Sequence, residues 1–368
     1  MREELYYLWL AKEGHTGTAK LSKLLEAYGS IEEAYEGVKS GKFITGDGLS
    51  EKYLNKLMAV ADERALEEDM ETIAKKNIKV SFINGDDYPY NLKHIYSAPV
   101  CLFYKGRLPA KEMKTIAIVG SRACTKRGSV LAARTAEKLT GMGVGVISGM
   151  ALGIDEAAHF GAMKDGGYTV AVLGCGVDIC YPKSSFGLYE EIIDKGCVMS
   201  EFMPGTAPLR TNFPQRNRII SGISDGVLVV EARKRSGSLI TADMGLDQGK
   251  NIYAFPGDPD EPLSEGTNAL IKQGAKLIEG ADDILSDFEI FTKSFATETK
   301  IQNLRLETKE KIVYDTLSLI PLHINDIMNE TGLTGEELFA ILLSLEMKGY
   351  AERTGFEYYI ASPDYYRE

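Results

Sequence analysis

Cysteine and histidine are scarce in this chain: five and four residues respectively, among 368, with a single tryptophan. Five cysteines are too few, and odd in number, for a disulfide framework. None forms Cys-x-x-Cys, and histidines 15, 94, 159 and 323 lie far apart, so neither a structural zinc site nor any other metal site is expected. Long apolar runs are also missing. Runs such as Val227–Val230 fall far short of the ~20 residues that a membrane helix needs. Met1-Arg2-Glu3-Glu4 leads into an amphipathic segment instead of an uninterrupted signal-peptide core, which makes the cytoplasm the expected location.

The motifs of common nucleotide enzymes are absent as well. No GxGxxG follows the first core strand, and GxxxxGK[ST] does not occur; the Gly-Lys at 249–250 ends in Asn251. No GxSxG elbow or HExxH is present. Dinucleotide, kinase and P-loop readings thereby lose their phosphate cradle, and no cofactor is expected. The net charge of −11 argues against a protein coated in basic surface. A local basic groove remains compatible with it, because phosphate affinity follows the local field.

The length points to two or three domains at roughly 150 residues each. An apolar fraction of 44% beside 26% charged residues is the balance of a folded protein. Residues 1–85 read as a helical domain: Leu5–Ala11, Ala19–Tyr28, Ile31–Lys39 and Ser50–Lys75 are the expected helices. The Gly14–Gly17 turn admits a helix-hairpin-helix reading, in which backbone amides meet a phosphate, although packing is the plainer role. Residues 86–290 carry the α/β pattern. Of 37 glycines, 24 lie between Gly120 and Gly280, where short β-branched runs alternate with helical stretches. A short strand, Val100–Tyr104, leads in. Runs at Thr115–Val119, Gly145–Ile147, Thr169–Leu173, Val198–Met199, Gly226–Val230 and Asn251–Ala254 then fit a parallel sheet covered on both faces. The helices expected between them are Val130–Thr140, Ile154–Lys164, Phe186–Asp194 and Pro214–Gly222. The fold class is therefore α/β: an extended Rossmann-like core between a helical N-terminal domain and a smaller C-terminal one.

Residues 291–308 are polar enough for a linker. Residues 309–368 read helix (Lys309–Ile320), helix (Ile324–Glu330), helix (Glu336–Lys348), then a ribbon of Tyr350–Arg353 and Tyr358–Ala361 turning at Gly355. That order is a winged helix, a module that usually lays its third helix in a DNA major groove. Here residues 305–368 hold 6 Lys+Arg against 12 Asp+Glu, and phosphate would be repelled. Protein contact or packing is the expected role.

In a parallel sheet the ligand site lies beyond the carboxyl ends of the strands. Those ends run into Gly120-Ser121-Arg122, Ser148-Gly149, Gly174-Cys175-Gly176 with Lys183 beyond, Ser200-Glu201, and Glu231 followed by Arg233–Arg235 and Gly237-Ser238. Small residues let a ligand reach the backbone, and helix N-termini attract anions. Cations collect in the same places. Lys114, Arg122, Lys126, Arg127 and Arg134 occur over residues 114–134 without an acid, and residues 209–250 hold seven Lys+Arg against four Asp+Glu. Pro214 suits the first position of a helix, which leaves Phe213 at its mouth, free to stack on a base. Arg216 and Arg218 stand ~200° apart on a helix, so only one faces a given groove; the other is expected to bridge a buried acid such as Glu231 or Asp225. Asp155 and His159, at i and i+4, share a helix face and are expected to serve the helix end and each other.

Taken together, GSRACTKRG (120–128), SGMALGIDEAAH (148–159), VLGCGVDICYP (172–182), SEFMPGTAPLRTNFPQRNRIISGISDGVLVVEA (200–232), SGSLITA (236–242) and AFPGDPDEPLSEGTNALIKQGA (254–275) resemble the DNA-processing protein A (DprA/Smf) family of bacterial natural transformation. The resemblance implies a non-enzymatic protein that binds single-stranded DNA, shields it and helps load the RecA recombinase, often as a homodimer. It implies that Gly120, Ser121 and Arg122 grip phosphate, and that Ser148, Gly149, Lys183, Phe213, Arg216, Arg218, Gly237 and Ser238 line the same pocket. Lys126 joins them as a cation of the first loop. Dimer and RecA contacts are implied around Leu263–Leu277. The competing reading is a Rossmann-type nucleotide hydrolase related to phosphoribohydrolases. Their PGGxGTxxE loop is matched only by SGSLITAD at 236–243, leaving Glu231 and Asp155 as its possible acids.

Overall fold

A computed structural model describes residues 2–13, 16–46, 48–290, 308–317, 322–355 and 357–361. The chain divides into two compact units, Met1–Thr292 and Lys293–Glu368.

The first unit opens with α1 (Arg2–Lys12), α2 (Thr18–Tyr28), α3 (Ile31–Lys39), α4 (Glu51–Ala59) and α5 (Glu63–Lys75). Leu8, Trp9, Leu10, Tyr35, Leu54, Leu57 and Leu66 supply their fully buried faces. The Ser30, Ser50 and Asp62 side chains cap helix starts by accepting backbone N–H bonds, each contributing about 1 kcal/mol. Asp62 also corrects the single helix expected over Ser50–Lys75. It accepts from the N–H groups of Arg64 and Ala65 and starts α5 afresh after a break at Val60–Asp62. The lone tryptophan locks the bundle: Trp9 Nε1 donates to the Leu57 carbonyl at 2.8 Å, and its ring stands edge-on to Tyr35 at 5.1 Å.

Nine strands follow: β1 (Lys79–Phe82), β2 (Cys101–Gly106), β3 (Thr115–Val119), β4 (Gly145–Ser148), β5 (Thr169–Val172), β6 (Cys197–Ser200), β7 (Gly226–Val229), β8 (Asn251–Ala254) and β9 (Lys276–Leu277). They form one sheet in the order β1-β2-β6-β5-β4-β3-β7-β8-β9. Strands β3 to β9 run parallel, while β1 and β2 add an antiparallel edge beside β6. Every residue of β3, β4, β5, β6 and β7 is buried, which is why these strands read as unbroken apolar runs. Along β3, Ile116 and Ile118 enter one core and Ala117 and Val119 the other, so both faces are covered.

The connecting helices are α6 (Tyr90–Lys93), α7 (Lys126–Gly141), α8 (Ile154–Met163), α9 (Phe186–Lys195), α10 (Asn212–Ile223), α11 (Gly237–Asp247), α12 (Glu265–Lys272) and α13 (Ala281–Asp287). Strand order ascends from β3 to β6 in one direction and from β7 to β9 in the other. The reversal between β3 and β7 opens a crevice at the carboxyl ends, the switch point where such sheets take ligands.

The boundary expected at residue 85 does not separate two compact units. β1 lies before it and pairs with β2, and one hydrophobic cluster runs from Trp9 through Phe103 to Val170. An ion pair of 2.8 Å joins Lys76 to Asp178. Gly14 and His15, in the glycine turn considered for phosphate, lie outside the described residues. Gly17, its other end, bridges to Pro99, and the Thr18 N–H donates to the Ala98 carbonyl at 2.8 Å, so this end packs against the sheet entry.

The second unit is a winged helix with helices Thr308–Thr316, Ile324–Thr331 and Gly335–Met347. Beside the expected ribbon of β11 (Ala351–Gly355) and β12 (Tyr358–Ala361), β10 (Leu322–His323) adds a third strand against β12. Val313, Ile327, Leu338, Leu342, Leu345 and Tyr359 form its core. Residues 318–320, the end of the first expected helix, and 291–307, nearly all of the expected linker, lie outside the described residues. Among those described, no helix is long and apolar enough to cross a membrane.

Replacing Trp9 with Ala removes a buried ring and the indole N–H that donates to the Leu57 carbonyl, leaving that oxygen only the Val60 N–H. Urea denaturation followed by circular dichroism should show a loss of about 3–5 kcal/mol, with the sheet unfolding in the same transition because the two share a core.

Candidate nucleic-acid interface

The crevice at the switch point is a cleft of about 710 Å³. Its walls come from strand exits: Val119–Arg122 after β3, Ala151 and Asp155 after β4, Tyr181 after β5, and Arg233 and Arg235–Ser238 after β7. The approach to α10 supplies Arg210, and α10 itself Phe213, Arg216 and Asn217.

The first loop is held from below. The Ser121 N–H donates to the Glu231 carbonyl at 2.8 Å, and the Ile154 N–H to the Ser121 carbonyl at 3.2 Å. The Glu231 carboxylate accepts from the Thr125 N–H at 2.8 Å and the Thr125 hydroxyl at 2.5 Å. Thr125 in turn caps α7 through the Gly128 N–H. With its backbone fixed, the loop carries Arg122 and Lys126 outward, both exposed.

Phe213 does not precede its helix, as the placement of Pro214 implied. α10 starts at Asn212, so Phe213 and Pro214 both lie in its first turn, where a missing N–H costs no intrahelical bond. The ring is half-buried. A Cβ on Gly174 would stand 2.8 Å from it, so the glycine after β5 makes room for the aromatic. Tyr181 lies 5.6 Å away, centroid to centroid, and the guanidinium groups of Arg122 and Arg216 lie 5.6 and 5.8 Å from the ring centre. The ring is thus already engaged by two cations.

The two arginines of α10 diverge, as a regular helix requires, and neither meets the acid expected for it. Arg216 turns inward and is 4% exposed. It donates to the Gly149 carbonyl at 3.0 Å, to the Val172 carbonyl, and through Nε to Asn217 Oδ1 at 3.2 Å. A Cβ on Gly149 would meet this guanidinium at 2.7–2.9 Å. Burial lowers its pKa to about 10 while the nearby Asp155 opposes the shift, so it stays charged at neutral pH. Arg218 leaves the cleft on the other side of the helix, where it forms a two-pronged bridge to Glu201 at 2.7 and 2.6 Å. Asp225 instead accepts from the Thr115 N–H at 2.8 Å and pairs with Lys114.

Seven of the twelve residues expected from the sequence line this cleft: Gly120, Ser121, Arg122, Phe213, Arg216, Gly237 and Ser238. Gly149 lies behind Arg216 in an adjoining hollow. Ser148 is buried in the sheet and donates to the Ile118 carbonyl at 2.7 Å, so its hydroxyl has an internal partner. Arg218, Lys126 and Lys183 are not among the lining residues, although the last two are exposed. Arg210, Arg233, Arg235 and Tyr181 line the cleft without having been assigned to it. The signal was present in the Arg233–Arg235 run directly after β7 and in Arg210, three residues before Phe213. Five arginines therefore face one carboxylate, Asp155, whose pKa is raised by burial against the lowering pull of Arg216. An acidic chain has a positive switch point.

Asp155 and His159 do not pair. The Asp155 carboxylate accepts from the Gly149 N–H at 3.1 Å, whereas His159 Nδ1 is bonded to the Thr169 hydroxyl at 2.8 Å. Glu231 and Asp155, the acids that a nucleotide hydrolase would need, both hold backbone amides. Among the described residues no cluster of His, Cys, Asp or Glu suits a metal ion.

Burial pushes the His159 pKa down to about 3. The unfolded chain takes up that proton near pH 6.5 and the native one only near 3, so stability falls as the pH drops through this window. The contribution is up to ~1.4 kcal/mol per pH unit. A His159→Gln variant should lose this part of its acid sensitivity in urea titrations between about pH 6.5 and pH 4; a profile unchanged from the native one would contradict the assignment.

Comparison with known proteins agrees with this architecture. The family model for DNA recombination-mediator protein A matches residues 79–289, and that for the DprA winged helix domain matches 302–355. DNA processing protein DprA of Streptococcus pneumoniae is 44% identical over 233 residues, covering 63% of this chain and 82% of that protein. The X-ray structure of the S. pneumoniae protein superposes with a TM-score of 0.65 at 36% identity, covering 77% of this chain and 97% of that one. A Helicobacter pylori DNA processing protein A, whose structure was described for its single-stranded DNA binding mode, gives a TM-score of 0.52 at 25% identity, covering 58% and 95%. With the reversed strand order, the basic cleft and this match over the core, the chain belongs to the DNA recombination-mediator protein A (DprA) family.

Proposed function

We infer that the switch-point cleft binds single-stranded DNA, and that the protein acts as a recombination mediator without catalytic turnover. The observation that carries this reading is the half-buried ring of Phe213 among five arginines, in a chain whose net charge is negative. Aromatic stacking combined with backbone cations is how flexible strands are held without sequence preference. A cleft lined by five arginines and one carboxylate suits phosphodiester better than a small neutral ligand. The H. pylori relative described for its single-stranded DNA binding supports the same reading.

Within this proposal Arg122, Arg210, Arg233 and Arg235 meet phosphates from the rim. Arg216 acts from the floor, where a phosphate would supply the anion that its carbonyl partners do not. Lys126 and Lys183, exposed outside the cleft, lie where a longer strand would continue. Ser148 and Arg218 are left to structure. The mediator role extends to loading RecA on protected single strands during natural transformation or recombination in the cytoplasm, with a homodimer formed through the core. Residues 263–277 are proposed for those contacts, since Leu277 is exposed and the exposed Leu246 lines one hollow with Leu270 and Gln273–Lys276.

Fluorescence anisotropy with oligothymidine should show a steep loss of affinity with salt, each phosphate contact contributing ~0.7 to the log–log slope. Arg122→Ala and Arg235→Ala should each remove about that much, and Phe213→Ala should cost about 1–3 kcal/mol with the slope retained. Arg218→Ala should leave the slope unchanged. Rim variants with native affinity would refute the cleft as the binding site. RecA filament growth on coated single strands, with and without the protein, tests the mediator role.

A further inference from the structure

The third helix of the winged-helix unit, Gly335–Met347, has two unlike faces. Leu338, Leu342 and Leu345 are buried in the unit's core. Phe339, Leu343 and Met347, four residues apart and so aligned along the helix, are 54%, 50% and 83% exposed. Scattered exposed apolar side chains are ordinary, but three on successive turns form a patch.

The charges that this helix itself carries have one sign. At ~100° per residue, Glu336 and Glu346 project onto the same side as the stripe. The helix contains no lysine or arginine. Lys348, the next residue, is held by the Glu310 carboxylate at 2.6 and 2.7 Å, and Lys309 by Glu337 at 2.8 Å. A winged helix ordinarily offers this helix to a DNA major groove, yet phosphates would meet carboxylates here. A second copy would meet like charge, because residues 305–368 carry 6 Lys+Arg against 12 Asp+Glu.

We propose that this face is a docking surface for a basic amphipathic helix of a partner protein. The partner's apolar stripe covers Phe339, Leu343 and Met347, and its lysines or arginines meet Glu336 and Glu346. The recognition is of the helix-on-helix kind, read through anchors one turn apart. The flexible thioether of Met347 lets the end of the surface adapt to its ligand. The unit thus keeps the shape of a DNA-reading module and presents the chemistry of a protein-binding one.

The probe is a fluorescein-labelled synthetic peptide of leucine and lysine with leucines at helical spacing, titrated into the full chain and followed by anisotropy. Its control has the same composition with the leucines scattered around the helix. The helical-spacing peptide should bind at least about tenfold more tightly than its control. Leu343→Ser with Met347→Ser, and separately Glu336→Gln with Glu346→Gln, should each weaken it about tenfold without changing the melting curve. Equal binding of the two peptides, or native affinity in the serine variant, overturns the proposal. So does a dimer in sedimentation that the serine variant alone converts to monomer, since a second copy would then be the occupant.

Discussion

Arg216 is a cation taken almost wholly out of water, and the cleft takes its shape from how that charge is satisfied. Its donors reach the Gly149 and Val172 carbonyls, at the ends of two neighbouring strands, from a helix that follows a third. Three strand–helix connections are therefore pinned at one point, directly behind Phe213. A buried charge held mainly by carbonyls is costly to keep, and Asp155 relieves the cost only in part, since burial also raises its own pKa. The arrangement leaves positive potential at the base of the crevice. The exposed arginines of the rim extend it outward, where they are screened by salt far more than the residue beneath them.

Charge is segregated along the molecule. Several lysines and arginines of the first unit are neutralised in ion pairs, such as Lys76 with Asp178, Lys138 with Asp282 and Arg218 with Glu201. The arginines of the cleft have no carboxylate within bridging distance among the described residues. A negative overall charge then works in favour of selectivity: it discourages indiscriminate adhesion to nucleic acid, while the low-dielectric walls of the crevice concentrate the opposite field.

Much of this was legible in the sequence because it depends on local rules. Buried parallel strands are continuous apolar runs, and the sites of α/β sheets lie at strand exits, so Arg122, Phe213 and Gly237 could be placed together before any coordinates. Helix geometry also separated Arg216 from Arg218. What the chain did not disclose was set by distant partners. Glu201, 17 residues before Arg218, claimed that side chain, and nothing in the spacing distinguished it from Glu231 or Asp225. Ser148 looked like a phosphate-binding serine at a strand exit, but its hydroxyl closes a bond to the adjacent strand. β1 and β9 escaped notice because four and two residues are too few to establish a period. The break before α5 depended on a single aspartate within an otherwise helical pattern.

The margins of the large sheet carry a consequence of their own. One edge is β1, four residues long and set antiparallel, with Lys79 at its start; the other is β9, only two residues long. Neither presents a row of free amides and carbonyls long enough to template the addition of another chain. A protein with seven parallel strands, which form slowly and expose such rows while they assemble, is thus guarded against amyloid-like growth once native. Association of copies at this sheet would then rest on packed side chains and not on strand addition.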